Sequence, residues 1–171
     1  KAETEGGAVY WARGAEVQMF FDKVSIPTAM CFSAFGDVGY VADPARNTIW
    51  RVPLDAATGL LAGDRQVFVK GGAGSYCDGA VIDRHGVLWN AAWGGHAVHG
   101  YGPDGALARS VAVPTGQASC PCFVGADASR LIVTTAQQGM TSDARAADPF
   151  AGQTFALPGV LEGRFAPAVV L

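Results

Sequence analysis

Apolar residues along this chain fall in short runs broken by Gly, Asp and Pro, and almost nowhere do they recur at helical spacing. Such runs predict β-strands. They are expected at residues 8–11, 17–21, 26–32, 40–43, 48–52 and 66–69. A further four follow at 78–82, 87–91, 97–101 and 107–113, with Pro103, Asp104 and Gly105 as a hairpin turn before the last. A third set opens at 119–124 and 130–135 and continues at 153–157 and 165–171. Only 145–150 suggests a helical turn, cut short by Pro149.

The sets are copies of one another. Phe32, Ile82 and Phe123 each end an apolar run just before a polar turn, and Tyr40, Trp89 and Ile132 each sit inside the strand that follows. The latter three are spaced by 49 and 43 residues. A four-strand unit with a period of roughly 40–50 residues is the signature of a β-propeller blade. The expected fold is therefore all-β, a propeller of four-stranded blades, with about three and a half blades here and residues 1–171 forming a single propeller domain. A propeller closes to protect its sheet edges. A complementing N-terminal segment or a second chain is the partner this implies.

Four residues before each run end stands a polar side chain: Thr28, Asp78 and Ser119. The innermost strand of a blade leads with that end toward the central channel, where propellers place ligand sites. Ala29 and Gly79 follow two of these positions, and small followers let a backbone approach a ligand closely. The plainer reading makes all three ordinary turn residues at strand entries. Asp78 is the only charged one.

Composition narrows the classes. Half of the 171 residues are hydrophobic and 16% are charged, which describes a folded core and not a disordered chain. The net charge is −3 and no basic run occurs, so nucleic acid and anionic membranes are not expected partners. No apolar run approaches the ~20 residues that span a bilayer. Residues 1–7 are polar and carry no secretion-signal core. Cys31, Cys77, Cys120 and Cys122 lack the spacing of a zinc knuckle and read mostly as buried small hydrophobes in a reducing, cytoplasmic compartment.

In this order, the segments carry a family resemblance: Ile26-Pro-Thr-Ala-Met-Cys-Phe-Ser; Tyr40-Val-Ala-Asp, then Ile49-Trp-Arg-Val; Cys77-Asp-Gly-Ala-Val-Ile-Asp, then Gly86-Val-Leu-Trp; Ala92-Trp-Gly-Gly; Tyr101-Gly-Pro-Asp-Gly; Ser119-Cys-Pro-Cys-Phe; and Val133-Thr-Thr-Ala, then Gly139-Met. The chain resembles the C-terminal part of the SMP-30/gluconolactonase/LRE-like, or regucalcin-like, family. The resemblance implies a six-bladed propeller that hydrolyses an aldonolactone to an aldonic acid, a carboxylic ester hydrolase, when the N-terminal part is present. It also implies one divalent ion (Ca, Zn, Mg, Mn or Fe) in the central channel, held by a Glu, an Asn and an Asp. The family's Asp falls on Asp78; its Asn falls on Thr28, a departure that implies weaker metal binding. The Glu would precede Lys1, and Glu3 matches an acidic residue that faces substrate.

A metal-bound water beside a carboxylate suits lactone opening, and Asp78 is the expected ligand and general base. No Gly-x-Ser-x-Gly elbow points to a serine hydrolase instead. His96, after Trp93-Gly94-Gly95, is a candidate to meet substrate, whereas His85 reads as a turn tip and His99 as a packed strand residue. Trp93 is a candidate to stack on a sugar and Trp89 reads as core. Gln137, Gln138 and Met140 stand in a loop that borders the mouth or is simply solvated. The alternative to a lactonase is a propeller that binds a metal or sugar acid without catalysis. A scaffold using its outer faces has no sequence feature in its favour.

Overall fold

The computed structural model describes residues 3–159 and 161–166, and they form antiparallel sheets in chain order. β1 (Gly7–Arg13) and β2 (Glu16–Val24) make a hairpin. β3 (Thr28–Phe32), β4 (Val38–Asp43), β5 (Thr48–Pro53) and β6 (Gln66–Lys70) make a four-stranded sheet in sequence order. β7 (Tyr76–Ile82), β8 (Leu88–Trp93), β9 (Ala97–Tyr101) and β10 (Leu107–Ala112) repeat it. β11 (Ala118–Val124), β12 (Arg130–Thr135) and β13 (Thr154–Ala156) give three strands of another. Four-stranded meanders of this kind are blades. The repeat register holds: Cys31 faces Tyr40, Val81 faces Trp89 and Cys122 faces Ile132 across the first two strands of successive sheets.

The middle strands read as unbroken apolar runs because both faces of each sheet are covered. One cluster joins Val9 and Val24 of the hairpin to Val41, Val52 and Leu54. A second joins Tyr40, Ala42, Ile49 and Val69 to Cys77, Ile82, Leu88 and Tyr101 of the next sheet. A third joins Trp89, Ala91, Val98 and Val111 to Ala118, Phe123, Leu131 and Val133. Period-two alternation sends Leu88 one way and Trp89 the other. Burial of a residue such as Leu88, fully enclosed here, contributes about 2–3 kcal/mol.

Several boundaries move for local reasons. The strand expected from residue 26 begins at Thr28, because the Ser25 and Ile26 amides donate to the buried Asp43 carboxylate (3.1 and 3.2 Å) and leave the ladder. The helical turn lies at Ser142–Ala147 (α1), ahead of the expected 145–150. Thr141 caps it through the Ala144 amide, with Asp143 in its first turn. Phe165 and Ala166 form no strand, and the remainder of the strand expected at 165–171 falls outside the described residues. Among the described residues no helix is long and apolar enough to cross a membrane.

The cysteines divide. Cys31 and Cys77 are buried, and burial lifts their thiols to about 12 and about 11. Cys120 and Cys122 are exposed, which corrects the expectation that most would be core. Strand alternation explains it: Phe123 points into the third cluster, so its neighbour Cys122 and, two residues on, Cys120 point away.

Candidate functional site

The inner strands β3, β7 and β11 follow one another, and each breaks its ladder near the same end. The register shifts between Thr28 and Met30, between Cys77 and Ala80, and between Ala118 and Cys120. A bulge leaves a residue out of the ladder and re-aims its side chain. Asp78 and Ser119 lie inside their bulges; Thr28 is the last paired residue before its own, where Ala29 adopts a φ of +39°. Of the three polar positions picked out by the repeat, two are thus bulge positions and the third, Thr28, borders one.

Neighbouring groups hold the central bulge in place. A Cβ on Gly79 would lie 2.6 Å from the Ser119 carbonyl oxygen and 2.8 Å from the Cys120 Cα. Glycine is needed here so that β11 can approach. Asn90, 1% exposed in β8, donates from Nδ2 to the Asp78 carbonyl (2.7 Å) and the Gly79 carbonyl (3.1 Å). Asn47, at a left-handed φ of 47°, spans the entry to the same strand. Its Oδ1 accepts from the Cys77 amide (2.8 Å) and its Nδ2 donates to the Ser75 carbonyl (2.7 Å). Neither asparagine was picked out from the sequence. Asn90 carried a signal, a lone amide within Leu-Trp-Asn-Ala-Ala-Trp, whereas Asn47 looks like any turn residue.

Burial pushes the Asp78 carboxyl up to about 6, against the opposing pull of the Gly79 amide and the Thr28 hydroxyl. Thr28 Oγ1 is itself buried and makes no hydrogen bond of normal geometry. The Thr28 hydroxyl beside Asp78 is therefore left with room for one more polar partner. Ser119 Oγ, by contrast, is committed to Thr134 Oγ1 at 2.8 Å.

A cavity of about 340 Å³ opens over Asp78, lined also by Ile26, Pro44, Ala45, Tyr76, Trp93 and Gln138. Trp93 and Gln138 are among its lining residues. Gln137 is tied to the Ala151 carbonyl (2.9 Å) instead, and neither it nor Met140 lines the cavity. Trp89 is core and donates to Asp83 Oδ2 at 3.0 Å. Glu3 is exposed ahead of β1 and His96 is exposed in the β8–β9 turn; neither lines the cavity. His96 takes the turn position and left-handed φ (52°) that Asn47 takes one sheet earlier. His85 pairs with Glu162 at 2.8 Å on the surface, and His99 meets Ser110 at 3.1 Å on the outer strands. A larger apolar groove of about 530 Å³ lies between the hairpin and the first four-stranded sheet, away from the carboxylate.

Carboxylate and hydroxyl oxygens suit a hard divalent cation. The unpartnered Thr28 oxygen beside Asp78 fits such an ion. Among the described residues no three His, Cys, Asp or Glu side chains converge, so these two could supply only part of a coordination shell.

The SMP-30/gluconolactonase/LRE-like region matches residues 1–137. A Rhizobium meliloti protein that bears a provisional sugar lactone lactonase name is 46% identical over 98% of this chain and 57% of its own length. L-arabinolactonase of Azospirillum brasilense is 48% identical over 52% of this chain and 30% of its own. Among solved structures, regucalcin of Agrobacterium tumefaciens, described as calcium-binding, superposes with a TM-score of 0.94 at 43% identity, over 99% of this chain and 58% of that one. The WD40 β-propeller domain of Doa1 shares the fold alone, with a TM-score of 0.54 at 13% identity over 80% of this chain and 44% of that one. The chain spans about half the length of the curated relatives it matches.

Proposed function

We propose, for a chain that belongs to the SMP-30/gluconolactonase/LRE-like family, that the whole protein is a six-bladed propeller that hydrolyses a sugar lactone, with Asp78 at the reacting end of the cavity. Residues 1–171 make one part of that single domain. The observation that carries the reading is the bulge at Asp78: a carboxylate freed from the ladder, half-buried, at a cavity of small-molecule size and beside an unpartnered hydroxyl. The lactonase names of two relatives support the reaction class.

Asp78 and Thr28 would hold a divalent ion, consistent with the calcium-binding description of the regucalcin relative. When bound, that ion supplies Lewis-acid polarisation and a more acidic water. The protein's own residues do the rest. Asn90 and Asn47 fix the Asp78 strand, so the carboxylate is already aimed before substrate arrives. As water adds to the lactone carbonyl, Asp78 takes its proton. As the ring C–O bond breaks, the same proton passes to the departing ring oxygen, leaving a hydroxy acid.

The test uses the full-length protein and a pH-indicator assay of lactone opening. Wild type should turn over lactone, faster with added divalent metal, and Asp78→Ala should not. Full metal-stimulated activity in Asp78→Ala would sink the assignment. One observation favours a second reading, a binder without turnover: Thr28 stands where the family resemblance expects Asn, and among the described residues no carboxylate trio supports it. Calorimetric binding of Ca²⁺ and lactone with no turnover would establish that reading instead.

A further inference from the structure

We propose that Tyr76 and Trp93 form an aromatic wall that takes the ring face of a sugar lactone, with Gln138 meeting its hydroxyls, so that these residues set substrate specificity. This rests on the lactone reading of the Asp78 cavity and names which part of that cavity grips the ring.

Tyr76 and Trp93 are direct cross-strand partners, and they are the end pair of β7 and β8, separated from the Asp78 bulge by the Cys77–Ala92 pair. Both line the cavity that Asp78 lines. Tyr76 leaves 53% of its surface to solvent, and Trp93 is half-buried. Packing does not require large rings here: the neighbouring core is filled by Cys77 and Ala92, and Trp89 of the same strand is the residue that serves the interior. Adjacent aromatics with solvent-facing surface, next to a reactive carboxylate, present the flat apolar face that the C–H side of a sugar ring stacks on.

The rim is built onto this wall. Gln117 pairs with Trp93 in an isolated bridge, donates from Nε2 to the Gln138 carbonyl (3.0 Å), and accepts the Ala136 amide on its own carbonyl (3.0 Å). One residue thus fixes Trp93 and Gln138 relative to each other. The Gln138 side chain, with donor and acceptor together, is suited to sugar hydroxyls. No Lys, Arg or His among the described residues lines the cavity, so away from Asp78 the wall grips a ligand by ring contact and hydroxyl hydrogen bonds.

The experiment measures kcat and KM of the full-length protein for L-arabinono-1,4-lactone and D-glucono-1,5-lactone, together with lactone binding by calorimetry in an Asp78→Asn background that does not consume it. Tyr76→Ala and Trp93→Ala should each raise KM about tenfold while kcat stays within about twofold, the size expected for one lost stacking contact. Tyr76→Phe keeps the ring and should keep KM, which separates stacking from a folding defect. Gln138→Ala should change the ratio of kcat/KM for the two lactones. If turnover is intact and both alanine variants keep wild-type KM, the wall is wrong while the lactonase reading stands. If turnover is absent but lactone binds and Tyr76→Ala abolishes that binding, the wall stands and the catalytic reading falls. Absence of both turnover and binding overturns both.

Discussion

Removing the Asn90 amide should cost more than its size suggests. Asn90 is 1% exposed and gives one hydrogen to each of two carbonyls, at 2.7 and 3.1 Å. Asn90→Ala strips both carbonyls of their donor in a place with little access to water. The net loss of two hydrogen bonds is about 2 kcal/mol, and the space left by the amide adds about 1, giving roughly 3 kcal/mol. Asn90→Asp is the sharper variant. It keeps the shape but turns two donors into acceptors facing two carbonyls, so it should cost more than the alanine, at least about 4 kcal/mol at neutral pH. A role in space-filling alone predicts the reverse order. Urea unfolding followed by circular dichroism, fitted with a common slope, measures both. If Asn90→Asp were as stable as wild type, or less damaging than Asn90→Ala, the hydrogen-bond account of the bulge would be refuted.

Two further expectations concern titratable groups. Because the Asp78 carboxyl sits at about 6 in the fold against 3.8 outside it, the stability it contributes is present below pH 3.8 and lost as pH rises through about 6. Asp78→Asn should therefore flatten the stability profile over that window and stabilise the protein at pH 8, by about 1 kcal/mol after allowance for partial exposure; unchanged thermal-melt profiles from pH 4 to 8 would contradict it. Native protein treated with a thiol reagent should modify Cys120 and Cys122 quickly, and Cys31 and Cys77 only on unfolding; mass spectrometry of the labelled peptides reads the outcome, and equal labelling of all four would reverse the assignment.

Much of the fold was legible because both faces of each sheet are covered, which writes strands such as Val38–Asp43 and Leu88–Trp93 as apolar runs. The repeat also located Thr28, Asp78 and Ser119, since a bulge recurs with the blade that contains it. What escaped was non-local. Asn47 acts on Cys77, and Asn90 on Asp78, through hydrogen bonds whose partners lie 30 and 12 residues away. Gly79 is dictated by the approach of β11 and not by its own strand. Tyr76 was overlooked because its strand begins earlier than its apolar run, at a residue whose exposure only the fold decides. The helix had its cap at Thr141 all along, but a six-residue helix has too little periodicity to register.

The recurring bulge has a consequence for how such a protein changes over time. Residues in the ladder and between sheets answer to many neighbours at once, so exchanging one disturbs two sheets. A residue held outside the ladder answers to few. Asp78 and Ser119 stand in such bulges and Thr28 borders one, while the strands around them keep one register. The architecture behaves like a rack of sockets whose pins can be swapped one by one. New chemistry at the inner rim can be sampled by single substitutions, without renegotiating the blades that carry it.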